Sequence, residues 1–112
     1  MKFLKNHKKR KGNNYKVSSR TKRIASKIGL VVLPSSRKGK KLDVYDKKTG
    51  RYKASIGAEG YKDFHIYRDL ESKGKIPKGT ADKKRKNYEK RHGCNNAKKG
   101  SNNLLACLLL WS

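Results

Sequence analysis

No aspartate or glutamate precedes Asp43, and across the whole chain 32 lysines and arginines face only 8 acidic residues. The formal charge of +24 on 112 residues limits folding more than any motif does, because self-repulsion on this scale opposes a compact state and draws in polyanions. Such a chain folds only where apolar residues gather. They amount to 33% of the sequence and cluster in Ile24–Leu33, Leu42–Tyr45, Tyr52–Ile56, Tyr61–Leu70 and Leu104–Trp111. This grouping predicts a folded centre with basic extensions rather than a disordered tail, and the length allows one modest core.

No run approaches the roughly 18 to 20 apolar residues that span a bilayer, and Met1-Lys2-Phe3-Leu4-Lys5 lacks the apolar stretch of a secretory signal. The expectation is no membrane partner and residence inside a cell or a particle. Two cysteines, Cys94 and Cys107, are too few for a disulfide framework, so free thiols in a reducing compartment are expected.

Residues 1–17 are expected to form a flexible basic arm, since Lys8-Lys9-Arg10-Lys11 runs into Gly12-Asn13-Asn14. The same block satisfies a nuclear-import pattern. Residues 18–72 read as a small α+β core. Within it, Ser18–Ile28 predicts a short helix with Ile24, Ala25 and Ile28 on one stripe, ended by Gly29. Leu30–Leu33 predicts a strand stopped by Pro34, and Ser35–Lys41 a basic loop. Leu42–Asp46 and Arg51–Ile56 flank Lys47-Lys48-Thr49-Gly50, the composition of a hairpin turn closed by a left-handed glycine. Asp63 can cap a helix to about Ser72. The fold class is therefore α+β: a central β-hairpin, which Leu30–Leu33 can extend to three strands, flanked by short helices. Residues 73–80 form a linker, 81–93 a basic helix docked through Tyr88, with Thr80 or Asp82 to start it and Gly93 to end it, 94–103 a polar loop, and 104–112 an apolar C-terminal segment. That last segment either packs on its own hairpin or plugs into a partner through Leu108, Leu109 and Trp111.

Catalytic chemistry has little to work with. His7, His65 and His92 sit in unrelated settings with no nucleophile and base pattern, and no paired Cys or His spacing suits zinc. Gly57-x-x-Gly60 lacks the lysine and hydroxyl of a phosphate-binding loop. No enzyme activity, metal or cofactor is expected. The tyrosines read as core and rim, with no recognition helix or stacking platform to read bases. Contacts to backbone phosphate remain, and the residues expected to make them are Lys8, Lys9, Arg10 and Lys11 in the arm, Arg20, Lys22, Arg23 and Lys27 in the first helix, Arg37, Lys38, Lys40 and Lys41 in the loop, and Lys83, Lys84, Arg85, Lys86, Lys90 and Arg91 in the basic helix.

Several segments taken together resemble a family of small basic proteins encoded by large nucleocytoplasmic DNA viruses. They are Arg20-Thr21-Lys22-Arg23-Ile24-Ala25-Ser26-Lys27-Ile28-Gly29-Leu30, Pro34-Ser35-Ser36-Arg37-Lys38-Gly39-Lys40-Lys41-Leu42-Asp43-Val44-Tyr45 and Ala54-Ser55-Ile56-Gly57-Ala58-x-Gly60-Tyr61-x-Asp63. Ala81-Asp82-Lys83-x-Arg85-x-x-Tyr88-x-x-Arg91-His92 and the terminal Leu109-Leu110-Trp111 complete the set. The resemblance covers roughly Ser18 to Trp111, and the chain departs from the family's pattern in Lys75–Gly79 and in its leucine-rich ending. What the resemblance implies is a setting rather than a mechanism: viral DNA as the polyanion, and the virion or the infected cell's nucleus or cytoplasm as the location. The leading expectation is a virion-associated DNA-binding protein with little sequence preference, serving packaging or condensation. Its competitor is a minor capsid or cement protein, bridging capsid proteins or a second copy through the basic arm and the Leu-Trp tail. A structural RNA-binding protein of ribosomal type is a third.

Overall fold

Ser18 begins the first helix as the local pattern predicts: its hydroxyl accepts from the Thr21 amide at 3.0 Å, capping one of the amides a helix start leaves without a partner. In the computed structural model, which describes residues 3–99 and 101–112, this helix, α1, spans Ser19–Lys27 and packs on the strand β1, Leu30–Pro34. Strands β2, Lys40–Asp46, and β3, Tyr52–Ala58, complete an antiparallel sheet in the order β1-β2-β3. The α+β expectation with a third strand on the hairpin is what the chain adopts. The hairpin turn also forms as expected, with Gly50 at φ +76 and its amide bonded to the Asp46 carbonyl at 2.8 Å. A register shift at Val44/Tyr45 accompanies it.

The register sorts the side chains by their period of two. Val32, Val44 and Ala54 lie side by side, as do Pro34, Leu42 and Ile56, making one apolar face. Leu33, Asp43 and Ser55 align on the other. Alternation in the sequence implied that one face of the hairpin is buried; both are, since Leu42, Val44, Asp43 and Tyr45 all have 0% exposure.

The second face is covered by the N-terminal segment expected to be a flexible arm. Phe3 bridges Arg51, the Leu4 amide reaches the Gly50 carbonyl at 2.7 Å, and the Arg10 amide reaches the Ser35 carbonyl at 3.0 Å. Asn13, 3% exposed, donates through its side chain to the Ser35 carbonyl at 3.0 Å. The segment thus runs as a strap from the β2–β3 turn to the β1–β2 turn. Phe3, Leu4, Asn13 and the Arg10 backbone make these contacts, and His7 adds a hydrogen bond to the Pro34 carbonyl, while Lys5, Lys8, Lys9 and Lys11 remain exposed. Charge density alone predicted mobility; the polar residues between the charges decide the outcome.

The chain divides into two compact units, Met1–Glu59 and Gly60–Ser112. The second holds α2 (Phe64–Ser72), α3 (Thr80–His92) and α4 (Asn102–Leu110), with a short 3-10 turn at Cys94–Asn96. So α2, expected in one core with the hairpin, groups with the later helices. Asp63 caps α2 by accepting from the Ile66 amide, and Gly93 ends α3 in the left-handed conformation at φ +59, both as the sequence predicts. α3 starts at Thr80, as the sequence also predicts, but its cap comes from elsewhere in the chain. Its cap position is Gly79, which has no side chain to offer, and the Glu71 carboxylate of α2 accepts from the Gly79 and Ala81 amides instead, at 3.0 and 2.6 Å.

The apolar C-terminal segment is a helix that buries Leu105, Cys107, Leu109 and Leu110. The Trp111 indole lies flat on Tyr88, centroids 4.3 Å apart, and Tyr88 in turn stacks on His92 at 4.1 Å. Cys94 and Cys107 form a disulfide, which corrects the expectation of free thiols. They are 13 positions apart in sequence, and the 3-10 turn, which touches both α3 and α4, helps bring their Cα atoms to 5.9 Å. No helix among the described residues is long and apolar enough to cross a membrane. The two leading positions of the expected arm and Gly100 of the polar loop lie outside the described residues.

Candidate nucleic-acid interface

Carboxylates are few enough to follow one by one, and each has a hydrogen-bond or ion-pair partner, with only Asp69 and Asp82 exposed. Asp43 accepts from Ser35 Oγ at 2.5 Å, Ser55 Oγ at 2.6 Å, and the Ser36 amide and hydroxyl at 3.0 and 2.9 Å. Asp46 accepts from the Thr49 and Lys48 amides, and these hydrogen bonds, led by that of Thr49, hold its carboxyl below the ordinary value. Asp63 and Glu71 cap helices, and the Ala81 and Gly79 amides likewise lower the Glu71 carboxyl. Glu59 pairs with Arg10, Asp69 with Lys73, and Asp82 and Glu89 flank Arg85.

Lysine and arginine are arranged differently. Every described one is exposed except Arg10, Lys40, Lys41 and Arg85. These four include three that the fold uses internally. Lys41 is 4% exposed with its ammonium over the Tyr15 ring, so an external phosphate cannot reach it. Arg10 is tied to Glu59, and Arg85 lies over the Phe64 ring at 4.7 Å between two carboxylates. They leave the set of expected phosphate contacts for this reason. Lys40 is half-buried on β2.

Lys8 and Lys9 are exposed along the strap, and the other expected residues fall on three surfaces. Arg20, Lys22, Arg23 and Lys27 are exposed around α1, whose Thr21 and Ala25 turn inward. Lys83, Lys86 and Lys90 form an outward stripe on α3, with Lys84 and Arg91 at its edges. Arg37 and Lys38 occupy the tip of the β1–β2 turn, beside Lys11 of the strap.

A fourth surface escaped the sequence reading. The Lys47 amide bonds to the Gly29 carbonyl at 2.9 Å, Lys47 Nζ donates to Ser26 Oγ at 2.9 Å, and Leu4 is bonded to Gly50. These contacts gather exposed Lys5, Lys27, Lys47, Lys48 and Arg51 from separate segments at the β2–β3 end of the sheet. A Lys-Lys-Thr-Gly turn signals only a turn, and nothing in its spacing reveals which other cations it meets.

The tail residues expected to dock on a partner are placed against their own unit. Leu109 is fully buried and unavailable, because the helix turns it into the core of the second unit; Leu108 and Trp111 are half-buried. Burial also pushes the Tyr88 hydroxyl's pKa up, against the opposing pull of Arg91.

Ser35, His7 and Asp43 come together, but not as a nucleophile and its base. The Ser35 hydroxyl donates to the carboxylate, and Ser35 has 0% exposure. His7 Nε2 donates to the Pro34 carbonyl at 2.8 Å, and Nδ1 lies 2.8 Å from the Tyr45 hydroxyl. The cluster fastens the strap to the sheet. Among the described residues no group of three His, Cys, Asp or Glu side chains is placed to hold a metal ion. No family model, curated protein or solved structure matches the chain.

Proposed function

We propose that this protein binds DNA through backbone phosphates with little sequence preference, and that it serves packaging or condensation as a component of a virion. The observation that carries the DNA reading is the distribution of charge: all eight carboxylates have partners in caps, turns, ion pairs or a buried hub and six of them are buried or half-buried, whereas nearly all the basic side chains face solvent. A cationic surface with so little compensation attracts a polyanion over distances of the order of the Debye length, about 10 Å at 0.1 M salt. Lysines and arginines on helix faces and turn tips reach phosphate oxygens without entering a groove. The viral setting rests on the resemblance of the Arg20–Leu30 and Pro34–Tyr45 segments and the pieces that follow them.

The capsid-cement alternative needs a tail free to insert between neighbours, and the burial of Leu109 and the stacking of Trp111 on Tyr88 give it less support. Titrating the purified protein into random-sequence duplexes tests the leading reading. Binding at 50 mM salt should weaken by about 10³ to 10⁵ at 200 mM if some 6 to 10 phosphates are contacted, with unrelated sequences bound alike. Indifference to duplex DNA at low salt ends the proposal. Preference for structured RNA moves it to the RNA reading, and binding confined to capsid protein moves it to the alternative.

A further inference from the structure

Resting on that DNA-binding reading, we infer that the first unit is a bridge, whose two opposite ends hold separate DNA duplexes. In an antiparallel meander the β1–β2 and β2–β3 turns must lie at opposite ends of the sheet, and each end here has collected its own cations. At the β2–β3 end Lys47, Lys48 and Arg51 are joined by Lys27 of α1 and Lys5 of the strap. The nearby acid, Asp46, has its carboxylate turned to the Lys48 and Thr49 amides. At the β1–β2 end the turn carries Arg37 and Lys38, and the strap brings Lys11 to the same end, because the Arg10 amide is bonded to the Ser35 carbonyl. The nearby acid there, Glu59, is paired with Arg10.

What lies between the ends is a stiff spacer. β2 runs the seven residues Lys40–Asp46, about 20 Å at the rise of an extended strand, and its middle is buried on both faces, with Asp43 and Tyr45 locked under the strap. That span exceeds the major groove, about 12 Å wide, and exceeds a Debye length at 0.1 M salt. The two tips lead away from each other along the strand direction, so a duplex seated across one tip leaves the other available. A second duplex then occupies it, and two DNA segments are held together by one protein.

Co-capture with the full-length protein tests this, using a biotinylated duplex on beads and a fluorescent duplex in solution. Co-capture should rise with added protein and fall again in excess, when every duplex carries its own copies. Lys47→Gln/Lys48→Gln/Arg51→Gln and Lys11→Gln/Arg37→Gln/Lys38→Gln should each lose most co-capture yet still bind a single duplex, with a salt slope lower by up to about 3. Lys62→Gln/Lys75→Gln/Lys99→Gln removes as many charges at exposed lysines outside the expected phosphate contacts and should keep co-capture. The charge-conserving Lys47→Arg/Lys48→Arg/Arg51→Lys should also keep it, which separates lost charge from a damaged turn. Duplex binding without co-capture by the unaltered protein overturns the bridge alone. Equal loss in all three glutamine variants, or none in the two end variants, overturns it too. Failure of the unaltered protein to bind any duplex instead removes the DNA reading on which the bridge rests.

Discussion

Ser55 Oγ lies 2.6 Å from Asp43 Oδ1 across the β2–β3 pair, and it donates to a carboxylate that has no exposure to solvent. Asp43 also takes hydrogen bonds from Ser35 and Ser36, and His7 Nδ1 of the strap stands 3.7 Å from its second oxygen. An acceptor that serves several buried donors leaves all of them unsatisfied when it is removed. Asp43→Ala should therefore cost about 3 kcal/mol, read as a lower denaturant midpoint with an unchanged slope. Trypsin should then cut faster within Lys8–Lys11, because the strap loses its anchor. An unaltered midpoint and cleavage rate would show that the hub holds nothing.

Trp111 is the sole tryptophan of the chain, so its fluorescence reports the docking of α4 directly. Its indole is 9° from parallel with the Tyr88 ring. Trp111→Ala should lower stability by about 2 kcal/mol, combining lost burial with the loss of an aromatic pair, and Trp111→Phe should lose less. If Trp111 emission in the native protein matches that of free tryptophan in water, the stacked arrangement does not exist in solution.

The Cys94–Cys107 disulfide closes a loop of the size for which cross-linking contributes about 3 kcal/mol by restricting the unfolded chain. Reduction, or Cys94→Ser/Cys107→Ser, should lower the unfolding midpoint. The reduced chain should take up two alkylating groups and the oxidised chain none, measured by mass after denaturation. Uptake of two groups without prior reduction would refute the bond.

Glu71 makes the α2–α3 junction sensitive to acid. Its carboxyl is held below its ordinary value of 4.5 by the Ala81 and Gly79 amides, so its contribution is complete above that value and is lost as pH falls through the depressed folded value. A carboxylate at the start of α3 also faces the positive end of the helix dipole. Thermal midpoints followed downward from about pH 6 should fall, and Glu71→Gln should flatten part of that decline while lowering the midpoint at neutral pH. The same acid limb in both proteins would mean that the carboxylate does not cap α3.

Much of the architecture was legible residue by residue. The Asp46–Arg51 turn, the caps at Ser18 and Asp63, the stop at Gly93 and the apolar alternation of β2 and β3 are decided by groups a few residues apart, where side-chain chemistry and backbone geometry act locally. Net charge is likewise a property of composition, and it points to a polyanion before any fold is known. Tertiary structure alone decided the rest. His7 and Tyr45 are 38 residues apart in sequence, Cys94 and Cys107 are 13 apart, and Glu71 caps a helix whose cap position lies eight residues on. Such pairings depend on how the chain returns on itself. The same holds for the interface: lysines are visible in the sequence, but which are buried, as Lys41 is, and which meet at one end of the sheet, as Lys27 and Lys47 do, follows from packing, because charge counts carry no direction in space.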